Sequence, residues 1–292
     1  MKIVEIDAAP GFGGLVLGAL RSSRKRPGPV SALPEITYVQ AQARLDAAHL
    51  ARYGQVCGFS EAHGVPVSYP QLLTFPLVMA FVGSPECPWP AMGTVHLANR
   101  IVQRQRLRPG EPLRVEVATG QLLSHEKGQA YTLELRILRD GELVWEATQT
   151  LLRLGVQSPS GPAFVSDLKS DLALSHQADL LAPANIGRRY AAVSGDRTPI
   201  HLWALTAKLL GFRRAIAHGL WTQARALAAL LPRDAVAQAE LSVEFKTPLF
   251  LPARASLWTT REAAGPLARG ALFEVRDAAG RKPHLRGRLS HA

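Results

Sequence analysis

The 292-residue chain reads as an α+β protein that uses one plan twice, an apolar helix followed by antiparallel strands. Three observations predict this. Residues 72–82 (LLTFPLVMAFV) and 217–231 (AHGLWTQARALAALL) are apolar on nearly every helical face and need cover on all sides. Each window is followed by a series of β-prone runs separated by turn signals. Apolar residues make up 47% of the chain, and Pro and Gly are scattered rather than clustered, so the composition supports a packed core with many turns.

The elements follow in order. Residues 11–20 (GFGGLVLGAL) are apolar and lead into Arg21, Arg24, Lys25 and Arg26. Ten apolar residues are too few to span a bilayer. Glu5 and Asp7 precede the run, which is not how a secretory signal begins. This segment is expected to be a short helix docked on the body, with a foothold on a membrane surface as the alternative. The charged, Pro-rich residues 22–34 read as a connector, giving a first segment 1–34. Residues 36–39 are β-prone. Residues 46–58 read as a helix that Asp46 caps and Gly58 stops. In the window 72–82, helix is favoured over buried strand, with Pro76 in its first turns. Strands are expected over 94–103, 113–122, 130–139 and 143–152, with turns at Pro109-Gly110, Lys127-Gly128 and Asp140-Gly141. The last pair is a tight-hairpin signature.

Residues 155–185 read as a link containing one short strand or helix. The plan then recurs: a short helix over 185–193, the apolar helix ended by Pro232, and β-prone runs at 239–246, 253–261, 270–277 and 285–289. The expected units are therefore 35–155 and 156–292.

The formal charge of +11 favours anionic partners such as nucleic acid, anionic lipid or phosphate-bearing groups. No RNP-type motif, zinc-finger spacing or long basic run supports nucleic acid, so none is expected as a partner. Cys57 and Cys87 lie in different segments without a C-x-x-C pattern; two buried free thiols in a reducing cytoplasm are expected.

The chemistry concentrates in residues 190–220, YAAVSGDRTPIHLWALTAKLLGFRRAIAHGL. Ser194-Gly195-Asp196 reads as a turn. Thr198 suits a helix cap, Pro199 the first helical position, and Gly211 the end of that helix. His201 then falls in the first turn, so its imidazole and the Asp196 carboxylate can face one water. The carboxylate can orient the imidazole and raise its proton affinity. Gly219, at the start of the apolar helix, offers an N–H where negative charge is favoured, as an enolate-like thioester oxygen requires. A Ser194/Asp196/His201 nucleophilic triad lacks the elbow context. His201 and His218 as metal ligands have the wrong spacing and no close third ligand, so no metal is expected. A thioesterase would want a carboxylate on the helix 217–231, which has none.

This stretch closely resembles the MaoC-like, (R)-specific enoyl-CoA hydratase family, whose signature reads roughly S-G-D-x-N-P-I-H, then G-F, then I-A-H-G-M. Both blocks match here in order and spacing over about thirty residues. The whole plan is similar to the double hot-dog members, in which a degenerate first unit shapes the acyl site and the second is catalytic. The resemblance implies Asp196 and His201 as the catalytic pair and Gly219 as the oxyanion donor. It implies hydration of trans-2-enoyl thioesters to (3R)-hydroxyacyl thioesters, with no cofactor beyond the coenzyme A or phosphopantetheine of the substrate. Ser194, Thr198, His218, Arg213 and Arg214 are the candidate substrate contacts, the two arginines for phosphates of coenzyme A or for an acyl carrier protein. Two positions depart from the pattern: Thr198 replaces Asn, and Trp203 replaces a frequent acid. A non-catalytic acyl-thioester binder, with Thr198 having cost activity, is the first alternative; a protein of anionic surfaces is the second. Monomer and homodimer both remain open.

Overall fold

A computed structural model describes residues 2–6, 25, 28–168, 173–232, 234–260 and 271–292. The helix expected at 11–20 and most of the connector before residue 28 lie outside them. The chain forms two compact units that do not follow sequence order. The first comprises Met1–Arg44, Pro70–Arg100 and Glu111–Asp167; the second comprises Leu45–Tyr69, Ile101–Gly110 and Leu168–Ala292. A single cut near residue 155 therefore differs from this division at residues 45–69 and 101–110, which group with the second unit, and at 156–167, which group with the first.

In the first unit, strands β1 (Lys2–Glu5), β2 (Ile36–Arg44), β3 (Thr94–Gln103), β4 (Pro112–His125), β5 (Gly128–Arg139) and β6 (Glu142–Leu154) form a sheet in the order β1-β2-β4-β5-β6-β3. The sequence did not signal β1, which pairs parallel to β2 from Lys2↔Ile36 to Glu5↔Val39. β4 alternates as a one-face strand should: Leu113, Val115 and Val117 are buried while Arg114 is exposed. The β5–β6 hairpin closes at Asp140-Gly141, both at positive φ (52° and 84°), which a two-residue hairpin turn demands. The apolar window is helix α2 (Gln71–Gly83), following α1 (Ala47–Cys57) in the chain. α2 lies against β2, β4 and β5 and buries Leu77, Val78, Phe81 and Val82. A reciprocal amide pair, Gln71 with Asn99 at 3.0 Å each way, satisfies its buried polar start.

In the second unit, β7 (Leu174–Ala182), β8 (Ala239–Phe245), β9 (Ala253–Thr260), β10 (Ala271–Asp277) and β11 (Pro283–His291) run in the order β8-β11-β10-β9-β7, and these neighbours all pair antiparallel. Its helices are α1, α3 (Ile186–Ser194), α4 (Pro199–Leu202), α5 (Ala204–Leu209) and α6 (Gly219–Leu230). α6 is the central one and buries Trp221, Thr222, Gln223, Ala224, Ala226 and Leu227. It holds α1 by two bonds to that helix's last turn: Trp221 Nε1–H to the Val56 carbonyl (3.1 Å) and Arg225 to the Cys57 carbonyl (3.0 Å). α1 begins and ends as its sequence dictates. The Asp46 carboxylate accepts the His49 N–H at 2.6 Å, and Gly58 adopts the left-handed conformation at φ 85°.

Cys57 and Cys87 are free and buried. Burial pushes the Cys57 thiol up to about 12 and raises Cys87 as well, so neither is poised as a nucleophile. Among the described residues no helix is long and apolar enough to cross a membrane. Because the Asp46 cap satisfies a helix-end N–H, Asp46→Ala is expected to cost about 1 kcal/mol in chemical denaturation; an unchanged midpoint would show the cap to be idle.

Candidate active site

The two sequence blocks meet in the second unit. α3 ends at Ser194, and Gly195 turns the chain at φ 77°. Asp196 follows. Its Oδ1 accepts both the Thr198 N–H (3.0 Å) and the Thr198 hydroxyl (2.6 Å), and its own N–H donates to Ser194 Oγ at 3.2 Å. Thr198 therefore serves the carboxylate instead of capping α4 with its side chain. α4 is also shorter than expected. The chain becomes extended at Trp203 (φ −142°, ψ 145°) and restarts as α5, so the helix expected to run unbroken to Gly211 is two pieces. Pro199 does occupy the first helical position, and His201 lies in that turn.

The second block is pinned to the first by backbone. The Ile216 N–H donates to the Ile200 carbonyl at 3.1 Å, and the Ile216 carbonyl accepts His201 Nδ1–H at 2.8 Å. A carbonyl can only accept, so Nδ1 carries the proton, and the neutral form of this ring has its lone pair on Nε2. His218 stacks on His201 with ring centroids 3.8 Å apart. Its Nε2–H donates to the Asp196 carbonyl at 3.0 Å and lies 3.7 Å from Asp196 Oδ2. His218 Nδ1 is buried with no hydrogen-bond partner among the described residues. His218 is thus a buried support under Asp196 and His201, and Ser194 likewise spends its hydroxyl on the turn.

Burial alone would raise the Asp196 carboxyl, but His218, His201 and the two Thr198 hydrogen bonds outweigh it and hold the group below its ordinary value. Its side chain stays 28% exposed, so the ionised oxygen is reachable. Burial, reinforced by His201, pushes His218 from 6.5 down to about 3. At neutral pH the site is an Asp196 carboxylate beside a neutral His218 imidazole.

Asp196, His201 and His218 each place one donor atom within 4.8 Å of the others. The expectation that no third ligand lies near the two histidines is therefore corrected, since Asp196 supplies one. Zinc ligands at about 2.0–2.1 Å from a tetrahedral ion stand about 3.4 Å apart, and groups sharing one water by hydrogen bonds of about 2.8 Å stand about 4.6 Å apart; the 4.8 Å bound admits either spacing.

Two glycines carry the packing. A Cβ at Gly219 would meet the Phe245 ring at 2.8 Å, so the bare backbone at the head of α6 is filled by an aromatic ring. A Cβ at Gly187 would fall 1.9 Å from the His201 carbonyl oxygen. Gly187 and Tyr190, whose ring centroid is 5.0 Å from that of His218, are site residues the sequence reading missed. A glycine inside the short helix 185–193 was the available signal of close approach; nothing marked Tyr190. Arg213 and Arg214 are exposed, and the Arg213 guanidinium lies 4.2 Å over the Phe250 ring.

Helix-backed antiparallel sheets with a carboxylate–imidazole pair define a double hot-dog protein of the hydratase and dehydratase type. The MaoC like domain model matches residues 172–276. The 3-hydroxyacyl-thioester dehydratase X of Mycobacterium tuberculosis is 36% identical over 236 residues, 80% of this chain and 83% of that protein. The crystal structure of HtdX from Mycobacterium tuberculosis aligns at TM-score 0.72 and 31% identity, covering 88% of this chain and 100% of that one. A Mycobacterium tuberculosis protein described as having a double hot-dog fold aligns at TM-score 0.52 and 14% identity over 94% of this chain and 98% of its own, a likeness of fold alone. This chain belongs to the MaoC-like dehydratase family.

Two outcomes follow from the packing. An imidazole held neutral is protonated more readily in the unfolded chain. Its stabilising contribution is therefore full above pH 6.5 and is lost as pH falls toward about 3. Melting temperatures across that window should fall less steeply for His218→Gln than for the parent chain, and parallel slopes would refute the assignment. Gly187→Ala should lower activity at least about tenfold by displacing His201, while the fold, read by circular dichroism, persists. An active Gly187→Ala protein would show that this contact yields.

Proposed function

We propose that this protein catalyses the reversible hydration of trans-2-enoyl thioesters to (3R)-hydroxyacyl thioesters, with Asp196 and His201 acting on one water. The observation that carries the reading is the gathering of the Asp196 carboxylate and the His201 ring within 4.8 Å, each fixed on its far side by hydrogen bonds. Asp196 Oδ1 is committed to Thr198 and His201 Nδ1 to Ile216, which leaves Oδ2 and Nε2 to hold the water.

In the hydration direction the pair polarises that water. Its hydroxyl adds to C3 of the enoyl group, and its proton is relayed to C2. The two additions consume one water and leave both side chains as they began. Charge that develops on the thioester oxygen meets the Gly219 N–H at the start of α6, where the helix end favours it. A water fixed on one side of the site attacks a single face of C3, in keeping with the (R) course of the family that the motif resembles. The name of the 36%-identical relative, a 3-hydroxyacyl-thioester dehydratase, supports this substrate class. Thr198 supports turnover too. Its hydroxyl grips the carboxylate, so the departure from Asn does not leave Asp196 unoriented. Exposed Arg213 and Arg214 are suited to the phosphates of the thioester carrier.

Loss of enoyl absorbance from crotonyl thioesters measures the reaction. Asp196→Asn and His201→Ala should each lower kcat by about 10²- to 10⁴-fold with little change in KM. A (3S) product, or either variant active at the parent rate, would sink the proposal.

A further inference from the structure

Beside the site lies a surface that the reaction itself does not use. α5 and its flanks expose four large apolar side chains: Trp203 (54%), Leu205 (71%), Leu209 (80%) and Leu210 (37%). Leu205 and Leu209 stand one helical turn apart and share a face. Single exposed leucines are ordinary, but four large apolar groups within eight residues mark an interaction surface. The patch is tied to the chemistry. The Thr206 hydroxyl donates to the Pro199 carbonyl (2.6 Å) and the Trp203 carbonyl (3.0 Å), which fastens α5 to the turn carrying His201.

The chain segment that carries it is cationic. Residues 186–214 contain six Lys or Arg and a single acid, Asp196, which belongs to the site. The Arg188 guanidinium lies 4.0 Å over the Trp203 ring and donates to the Leu202 carbonyl at 3.1 Å, placing charge at the edge of the apolar patch. Lys208 is exposed between Leu205 and Leu209. An apolar centre with a charged rim is the anatomy of a protein interface.

Resting on the hydratase reading above, we propose that α4–α5 is the docking surface for an acidic carrier protein that presents the acyl thioester on a tethered arm. Charge complementarity selects this occupant. Free coenzyme A would use the cations but has no use for the exposed leucines. A second copy of the chain, meeting this face by two-fold symmetry, would set Arg188 and Lys208 against like charges of the same face. A partner helix that presents carboxylates around apolar side chains satisfies both features, and its arm needs to pass only from Trp203 to the adjoining His201.

The test compares kcat/KM for crotonyl groups on a type II acyl carrier protein and on coenzyme A, using Lys208→Glu and Leu209→Asp. Each substitution should lower the carrier-protein value about tenfold or more and leave the coenzyme A value within about twofold. Equal losses on both substrates, or none on either, overturn the proposal. So does a light-scattering mass that drops in Leu209→Asp while the carrier preference is unaltered, because the surface then joins copies of the chain. A parent protein that hydrates neither substrate fails the reaction proposal instead. Docking is then read from titration with the crotonyl carrier protein, which must bind the parent and lose affinity in both variants.

Discussion

The site depends on a backbone clamp at Ile216. Its N–H reaches the Ile200 carbonyl and its carbonyl takes the His201 ring proton, so one residue grips two neighbours in the other block. The strand-like segment around it is held from the opposite side. Ala217 N–H donates to the Leu249 carbonyl (2.9 Å), and Leu251 N–H donates to the Ala215 carbonyl (2.8 Å). Each bond contributes only about 1 kcal/mol to stability. Their larger effect is geometric: they fix the His201 tautomer, seat His218 beneath it and set where α6 begins.

That clamp explains what was legible in the sequence. Local chemistry was readable wherever one residue decides its own conformation. Asp46 and Gly58 bound α1, Asp140-Gly141 closes the β5–β6 hairpin, and Pro199 opens α4. The order of helices and strands followed from apolar windows and turn pairs. Features that arise only when distant segments meet were hidden. The chain breaks at Trp203 although nothing there forbids helix; the ring instead pairs with Arg188, on α3. Thr198 has the form of a cap, yet a carboxylate two residues back offers its hydroxyl a shorter bond. Residues 45–69 precede the first apolar helix, but α1 packs with α3 and α6 of the second unit.

The two units also differ in how they settle buried polarity. In the first, Gln71 and Asn99 answer each other, donor to acceptor in both directions. In the second, the polar groups are satisfied on one side only. Asp196 and His201 are each anchored by hydrogen bonds through one side-chain atom, and His218 is buried with a nitrogen that has no partner among the described residues. Incomplete satisfaction is costly in a core and is expected where a ligand completes it.

Phe245 occupying the space beside Gly219 constrains how this protein can change. The aromatic ring and the missing side chain form a lock and key in which neither half drifts alone. A methyl group at 219 is admitted only after residue 245 has shrunk, and a smaller residue at 245 opens a void until 219 grows. Redesign or natural divergence at the N-terminal end of α6 must therefore proceed through paired replacements, with the aromatic partner leading.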